Sequence, residues 1–230
     1  MAALPRIRFV CATRCREAEF HTCTALGRSL KLYPFPYVEL RLFAENAAGL
    51  PVCYNRALDE ARDAPAILVF VHDDIHLCDF FWPDRLTEAL ARFDFVGLAG
   101  NRRRLPLQPG WLFLNLQFEH DTRAHISGVV GHGKGFPPEV VTVFGPPLQE
   151  VKLLDGLFLA ARSDTLNSRG IRFDERFDFH FYDLDICRAI EAAGLRMGTA
   201  ALSVVHESRG NFGSQGWKIG YLKYIEKWKS

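Results

Sequence analysis

The chain has 230 residues, 48% of them hydrophobic, so it is long enough and apolar enough to bury a substantial core. Its 28 lysines and arginines nearly balance 27 aspartates and glutamates, and the formal charge of +1 gives no global case for nucleic-acid binding. We therefore expect no nucleic-acid partner, and any attraction for anionic ligands must be local.

Strands and helices alternate through the first hundred residues. Within 37–45, for example, Val38, Leu40 and Leu42 alternate with charged residues, which is typical of a strand. The predicted elements are a strand over 7–12, a helical segment over about 16–30, strands over 37–45 and 66–72, helices starting near Pro51 and Pro83, and a strand over 95–100. This alternation predicts an α/β fold with a central, mostly parallel sheet flanked by helices.

The alternation breaks between about residues 101 and 149, a proline-containing region that includes "SGVVGHGKGFPP". We expect it to line a site or to form a mobile lid, since it is too long for an ordinary connection. Regular structure resumes with a strand over about 153–161, a helix from about Leu184 that Gly194 ends, and a last strand ending at His206. With no repeat or linker, we predict a single domain over 1–230.

The cysteines and the termini indicate the compartment. The six cysteines form neither a CxxC pair nor a disulfide scaffold, so we expect them to be reduced; Cys11 and Cys15 as metal ligands are the less favoured alternative. The N-terminus lacks the apolar run of a signal peptide, and no segment reaches membrane-spanning length. We therefore expect a soluble, cytoplasmic protein.

Three polar residues, His72, Asp73 and Asp74, end the apolar strand of 66–72. Ligands gather at the carboxyl ends of strands in parallel sheets, and alternation along the strand points His72 and Asp74 to one side and Asp73 to the other. A hard divalent cation such as Mg²⁺ binds carboxylates together with substrate phosphates. The alternative for an Asp-Asp pair is a turn in which the aspartates cap the next segment.

The chain resembles the family 2 glycosyltransferases of GT-A fold, over nearly its whole length and most weakly in the proline-containing middle. The resemblance implies a Rossmann-like domain with a nucleotide-binding half over about 1–100 and an acceptor and catalytic half over about 101–230. It also implies a nucleotide-diphospho-sugar donor, an Mn²⁺ or Mg²⁺ ion and inverting transfer. The segments that carry it are "IRFVCATR", "FAENAAGLPVCYNRALDEA", "LVFVHDDI", "LLDGLFLAARS", "FDERFDFHFYDLDICRAIEAAG" and "VVHES".

The family signature at the strand end is Asp-x-Asp, where this chain has His72-Asp73-Asp74. The resemblance assigns the metal to Asp74 and to His206, a histidine late in the fold, whose imidazole suits Mn²⁺ better than Mg²⁺. A histidine after an apolar run is otherwise a structural residue. His72 replaces the first aspartate, and we expect it, with Asp73, to contact the ribose or phosphate of the donor rather than the metal.

The candidate catalytic base is Asp183 in "FYDLD", which matches an aspartate that deprotonates the acceptor hydroxyl in the family, while Tyr182 replaces the glutamate before it. The alternative is a helix N-cap. A helix N-terminus would also stabilise the carboxylate and weaken it as a base. Asp185 is the second choice for the base.

Further positions follow from the resemblance. Asp155 and Gly156 in "LLDGLF" match the segment beside the donor sugar and acceptor, where glycine permits close backbone approach. The alternative for Asp155 is a buried acid bonded to backbone amides. We favour a UDP-sugar as donor, although the spacing does not distinguish uracil from guanine. The residues expected to border the nucleotide base and ribose are Thr13, Arg14, Glu45 and Asn46.

Three segments allow two interpretations each. "GVVGHGKG" is a flexible loop or an anion-binding nest, and Arg102, Arg103 and Arg104 form a solvated patch or hold a diphosphate or anionic acceptor. The aromatic face of the C-terminal helix packs on its own domain or, with its lysines, rests on a membrane near a lipid-linked acceptor. Its aromatic residues are Trp217, Tyr221, Tyr224 and Trp228.

Two other functions remain open at this stage. A nucleotidyltransferase of similar frame would also need a metal at a strand end, and a non-catalytic nucleotide-sugar-binding module would explain the missing first aspartate. The main hypothesis is a metal-dependent inverting glycosyltransferase that acts on a glycan, lipid-linked or protein-linked acceptor.

Overall fold

The structure of the protein, a computed structural model that describes residues 5–208 and 210–229, is built on a seven-stranded sheet. The strands lie in the order β2 (Val38–Phe43), β1 (Ile7–Ala12), β3 (Ile67–Val71), β11 (Phe158–Arg162), β5 (Phe95–Gly97), β12 (Met197–Thr199) and β9 (Glu150–Val151). The α/β class is confirmed. The sheet is mixed rather than mostly parallel, because β11 runs antiparallel to both of its neighbours and β9 antiparallel to β12.

A second sheet includes the strand that ends at His206. Its order is β10 (Leu153–Leu154), β6 (Ala99–Asn101), β7 (Ile126–His132), β13 (Val204–His206) and β4 (Ile75–Leu77), with β8 (Val140–Gly145) paired to β7. The strands predicted over 95–100 and 153–161 are each divided between the two sheets. The region 101–149 was expected to be irregular, but it contains the β7–β8 hairpin. Sequence periodicity did not predict β8, because its apolar residues Val140, Val141 and Val143 are exposed and do not alternate with polar residues.

Seven helices are described besides a short 3₁₀ helix at Glu17–Glu19. They are α1 (Phe20–Cys23), α2 (Ala25–Leu30), α3 (Leu50–Glu60), α4 (Trp82–Arg92), α5 (Ser163–Ser168), α6 (Tyr182–Ala192) and α7 (Gln215–Trp228). The helical segment expected over about 16–30 is present, but it is divided into short helices, and the extended backbone of Thr24 separates α1 from α2. The Thr24 hydroxyl donates to Phe20 O (2.8 Å) and accepts from Gly27 N (3.0 Å), so it caps the next helix.

Strand β3 is buried along its whole length, as its continuous apolar run predicts. Aromatic rings pack around it: Phe70 lies 4.9 Å, between ring centroids, from both Tyr54 and Phe173. Polar side chains are therefore costly anywhere within β3, and they first occur at His72, directly after its carboxyl end.

The C-terminal helix α7 packs on the domain through its aromatic face. Trp217 and Tyr224 are buried, and Phe181 contacts both of their rings. The packing interpretation is thus confirmed, and the same face is not free to rest on a membrane. Within 5–208 and 210–229, no helix has the length and apolarity needed to cross a membrane.

A buried ion pair fastens α7 to α6. Lys227 Nζ lies 2.7 Å from an Asp185 oxygen and 2.8 Å from Asp174, and Trp228 Nε1 also donates to Asp185 (2.8 Å). The Asp185 side chain is only 1% exposed, so its charge depends on these two partners.

We expect Lys227→Met to lower the free energy of unfolding by roughly 2–3 kcal/mol, because it leaves the buried Asp185 carboxylate without its cation. The matched control is Lys223→Met on the same helix, since the bond of that lysine to Arg176 O is exposed. Urea unfolding measures both variants, and equal stability of the two would contradict the anchoring role.

Candidate active site

Three side chains meet beyond the carboxyl ends of β3 and β13. The possible ligand atoms of His72, Asp74 and His206 all lie within 4.8 Å of one another. Antiparallel pairing of β13 with β4 places His206 opposite Ile75, and Glu207 N donates to Asp74 O (3.0 Å). Sheet pairing therefore brings together two residues that are 132 positions apart in the sequence.

Asp74 is a half-buried carboxylate, and one of its oxygens has no partner among the described residues. Its Oδ2 lies 3.4 Å from His206 Nε2, whereas its Oδ1 is buried and has no hydrogen-bond partner among the described residues. Burial raises the pKa of Asp74, but the hydrogen bond and charge of His206 lower it more, and the net pKa is well below the ordinary value. An ionised carboxylate oxygen that is buried and unpaired is costly, so this one fits a cation.

The pKa values of the two histidines shift in opposite directions. Burial lowers the pKa of His206, but its hydrogen bond with Asp74 and that group's charge outweigh burial and leave the pKa raised. Burial lowers the pKa of His72 more than Asp74 raises it, so His72 is neutral at pH 7. One carboxylate with one or two imidazoles is a donor set that fits Mn²⁺ better than Mg²⁺.

Asp73 points away from this group, as the strand alternation predicts. Thr13 Oγ1 donates to Asp73 Oδ2 (2.6 Å), and Leu26 N donates to Asp73 O (3.0 Å). Asp73 therefore joins the ends of β3 and β1 and the start of α2. Its expected contact with a donor stays a prediction.

The residues expected to border the nucleotide lie together at the ends of β1 and β2. Asn46 N donates to Thr13 O (2.9 Å), but the Asn46 side chain is engaged with the Ala48 backbone, and the Thr13 hydroxyl with Asp73. Arg14 and Glu45 are exposed. If a nucleotide binds here, these two have side chains free to meet it; their assignment remains a prediction.

Gly156 holds two site residues by its backbone. Its N–H donates to Asp183 Oδ2 (3.2 Å), and its carbonyl accepts from the Tyr182 hydroxyl (2.8 Å). A Cβ at this position would lie 2.5 Å from Tyr182 Oη and 3.1 Å from Asp183 Cβ. The close backbone approach expected of this glycine is therefore present.

Asp183 is not the N-cap of α6. That position is Phe181, in the left-handed region at φ 68°, and Asp183 is the second helical residue. Burial raises the pKa of Asp183 to about 7, the charge of Asp155 adds to this, and the backbone amides at the helix start only partly offset it. The expectation that the helix start weakens this base is wrong, because desolvation outweighs the helix dipole.

Asp155 accepts two hydrogen bonds at the back of the site. Trp111 Nε1 donates to its Oδ2 (2.6 Å), and Leu157 N donates to its Oδ1 (3.0 Å). Trp111 in turn packs edge-on against Phe144 (4.9 Å between ring centroids). Sequence reasoning missed Trp111, because it lies in the irregular stretch between β6 and β7 where no periodicity or motif marks it.

A cavity of about 220 Å³ opens between these groups. His72, Asp155, Asp183 and His206 all line it, so the candidate base and one candidate metal ligand face the same space. Among the described residues, seven aromatic side chains also line the cavity: Trp111, Phe144, Phe179, Phe181, Tyr182, Phe212 and Trp217.

Two basic or glycine-rich segments are candidate anion sites from the sequence. "GVVGHGKG" forms the end of β7 and the turn toward β8, and the next regular element is a strand rather than a helix. Arg103 is paired with Asp121 (2.6 Å) and Arg104 with Glu191 (2.9 Å), whereas Arg102 is exposed. Two of the three arginines are therefore already engaged within the protein, and an anion-binding role for the cluster stays a prediction.

Comparison with known proteins identifies the class. The model of a family described as "Glycosyltransferase like family" matches residues 9–210, so the chain belongs to this glycosyltransferase-like family. No curated protein matches the chain in sequence.

Among solved structures, "GalNAc-T7 with UDP, GalNAc and Mn2+" aligns with a TM-score of 0.54 at 11% identity, over 98% of this chain and 48% of that one. "A197 from STIV" aligns with a TM-score of 0.50 at 13% identity, over 88% of this chain and 86% of that one. The chain thus spans about half the length of GalNAc-T7. The resemblance to the GT-A fold is confirmed.

We expect Gly156→Ala to lower the melting temperature by several °C, because the new methyl group displaces Tyr182 and Asp183. Gly216→Ala is the control, since its Cβ would meet nothing closer than 3.7 Å. Differential scanning calorimetry compares the two, and an unchanged melting temperature for Gly156→Ala would contradict the tight packing.

Asp183→Asn should stabilise the protein at pH 8 but not at pH 4. An unfolded aspartate titrates near about 4, whereas the pKa of folded Asp183 is about 7. The wild type therefore loses stability as pH rises through this window, and the asparagine variant does not. Melting temperatures of both proteins across pH 4–8 measure this, with an expected gap of a few °C at pH 8. A pH-independent gap would contradict the raised pKa.

Proposed function

We propose that the protein is a metal-dependent inverting glycosyltransferase. It would move a sugar from a nucleotide-diphospho-sugar, with a UDP-sugar favoured, to an acceptor hydroxyl on a glycan or glycoconjugate. The observation that carries the proposal is the shared cavity, in which a carboxylate with a pKa of about 7, Asp183, faces the candidate metal ligand His206.

Membership of the glycosyltransferase-like family supports the reaction class. GalNAc-T7, a structure of similar fold, was obtained with UDP, GalNAc and Mn²⁺, which agrees with the choice of donor and metal although the two chains share only 11% identity. The aromatic lining of the cavity suits the apolar faces of sugar rings, because small-molecule sites combine apolar walls with few polar groups.

A side chain of this protein can accept the proton that the acceptor hydroxyl loses. In a single displacement, the acceptor oxygen attacks the anomeric carbon and the bond from that carbon to the diphosphate oxygen breaks. The acceptor hydroxyl proton passes to the Asp183 carboxylate. A base whose pKa lies near the working pH is best suited to this role, and burial beside Asp155 is what supplies that pKa.

Asp74 and His206 would hold the metal ion. Asp74 Oδ1 supports this fit, because it is a buried anionic oxygen with no partner within 5–208 and 210–229, and such an oxygen favours a cation. When bound, the ion would stabilise negative charge on the diphosphate leaving group. Asp155, held by Trp111 and Leu157 N, would keep the wall beside the donor sugar fixed.

The test is release of nucleoside diphosphate from a panel of nucleotide-sugars with Mn²⁺, with acceptor sugars added. Asp183→Asn should lower turnover by about 10²–10⁴-fold while leaving binding of UDP with Mn²⁺ unchanged. The matched control is Asp63→Asn, an exposed aspartate far from the cavity lining, which should keep full turnover.

Three outcomes would contradict the proposal. Pyrophosphate release from nucleoside triphosphates, without action on nucleotide-sugars, would indicate a nucleotidyltransferase. Binding of a nucleotide-sugar with no turnover under any condition would indicate a binding module. Full turnover by Asp183→Asn would remove this residue from the base role.

A further inference from the structure

The two positions at which this chain departs from the family signature are in direct contact. His72 stands where the first aspartate of Asp-x-Asp is expected, and Tyr182 stands where the glutamate before the base is expected. The Nε2 atom of His72 lies 2.8 Å from the Tyr182 hydroxyl oxygen. The two replacements are therefore one hydrogen-bonded pair, although 110 residues separate them in the sequence.

The position of the protons in this pair follows from the third partner. The Tyr182 hydroxyl lies 2.8 Å from Gly156 O, and a carbonyl oxygen can only accept. The single hydroxyl proton therefore points at Gly156. The bond between the tyrosine oxygen and His72 then needs a hydrogen from the ring, so Nε2 carries the N–H and donates it.

A neutral imidazole protonated at Nε2 has its lone pair on Nδ1. Within residues 5–208 and 210–229, the His72 ring makes no hydrogen bond except the one to Tyr182. The ring is held in place by stacking on Phe179, with 5.8 Å between ring centroids and an interplanar angle of 22°. His72 thus presents an oriented ring with one uncommitted nitrogen at the wall of the cavity.

The neighbours of His72 suit a cation. The possible ligand atoms of His72, Asp74 and His206 lie within 4.8 Å of one another, and Asp74 Oδ1 is buried with no hydrogen-bond partner in the described part of the chain. We propose that His72 is a third ligand of the metal ion through Nδ1, and that Tyr182 is the positioning residue that fixes the tautomer of this ligand. The proposal rests on the metal dependence of the proposed function, and it replaces the expectation that His72 contacts only the donor.

This ligand set has a consequence for metal choice. Two imidazoles and one carboxylate favour Mn²⁺ and other transition metals, whereas Mg²⁺ prefers oxygen ligands. The chain should therefore prefer Mn²⁺ over Mg²⁺ more strongly than a site with the Asp-x-Asp signature, and His72→Asp should weaken that preference.

The test is titration of the full chain with Mn²⁺, with and without UDP. Electron paramagnetic resonance measures the concentration of free Mn²⁺ at each point. Tyr182→Phe should weaken Mn²⁺ binding by about 10–100-fold, as loss of an outer partner of a metal-ligating histidine does. His72→Ala removes the ligand itself and should weaken binding at least as much. The double variant should be no weaker than His72→Ala, because Tyr182 acts through His72. His72→Asp should lower the ratio of the Mg²⁺ to the Mn²⁺ dissociation constant by roughly tenfold.

The matched control is Tyr33→Phe, which also removes a buried hydroxyl bonded to a carbonyl, that of Leu77, but lies outside the cavity lining. It should bind Mn²⁺ as the wild type does. Nitrogen-15 NMR of the metal-free protein gives a second readout: His72 should be protonated at Nε2, and Tyr182→Phe should mix the two tautomers.

Any one of four results would overturn the proposal. The His72→Ala variant could bind Mn²⁺ as tightly as the wild type, or the wild type could fail to bind Mn²⁺ at all. The losses of affinity could also be additive in the double variant, or the His72 proton could be found on Nδ1. Turnover is not part of this measurement. If the ligand set responds as expected and no sugar is transferred, the proposed function fails while His72 remains a metal ligand.

Discussion

The ionised, half-buried carboxylate of Asp74 is the constraint on which the site depends. Strand β3 is enclosed on both faces, so the chain can place polar groups only after its end, and it places His72 and Asp74 there. Pairing of β4 with β13 then fixes His206 beside Asp74. The histidine satisfies one carboxylate oxygen, and the other has no hydrogen-bond partner among the described residues, so its burial favours a cation in the proposed site.

Gly156 connects this metal-binding side to the catalytic side. Its carbonyl orients Tyr182, which binds His72, and its amide orients Asp183. One backbone segment therefore positions the candidate ligand and the candidate base together, and any side chain at this position would separate them. The same enclosure that holds Asp183 in place raises its pKa to about 7, so packing and acid–base chemistry have one cause.

Local sequence patterns were sufficient to predict many of the strands and helices. The apolar runs and alternation predicted β1, β2 and β3 to within one or two residues, and the first-turn prolines marked the starts of α3 and α4. The direction of β11 could not be predicted, because pairing depends on which strands it meets and not on its own residues. For the same reason the run 95–100 gave no sign that it divides between two sheets.

The site was predictable where a motif marks a strand end, and elsewhere it was not. His72, Asp74 and His206 were singled out from the sequence, and the structure brings them together. Trp111 has no motif, and its bond to Asp155 exists only through the fold. The raised pKa of Asp183 depends on burial that no sequence pattern reports, so reasoning from the helix start alone gave the wrong direction.

The most direct measurement of the central claim is anomalous scattering from crystals of the protein soaked with Mn²⁺ and UDP. We expect one manganese peak bonded to Asp74 and His206, with His72 and UDP phosphate oxygens as further ligands. An ordered nucleotide with no manganese at these two residues, or with the ion bound elsewhere, would contradict the claim that an unpaired carboxylate at the end of a buried strand is the metal site.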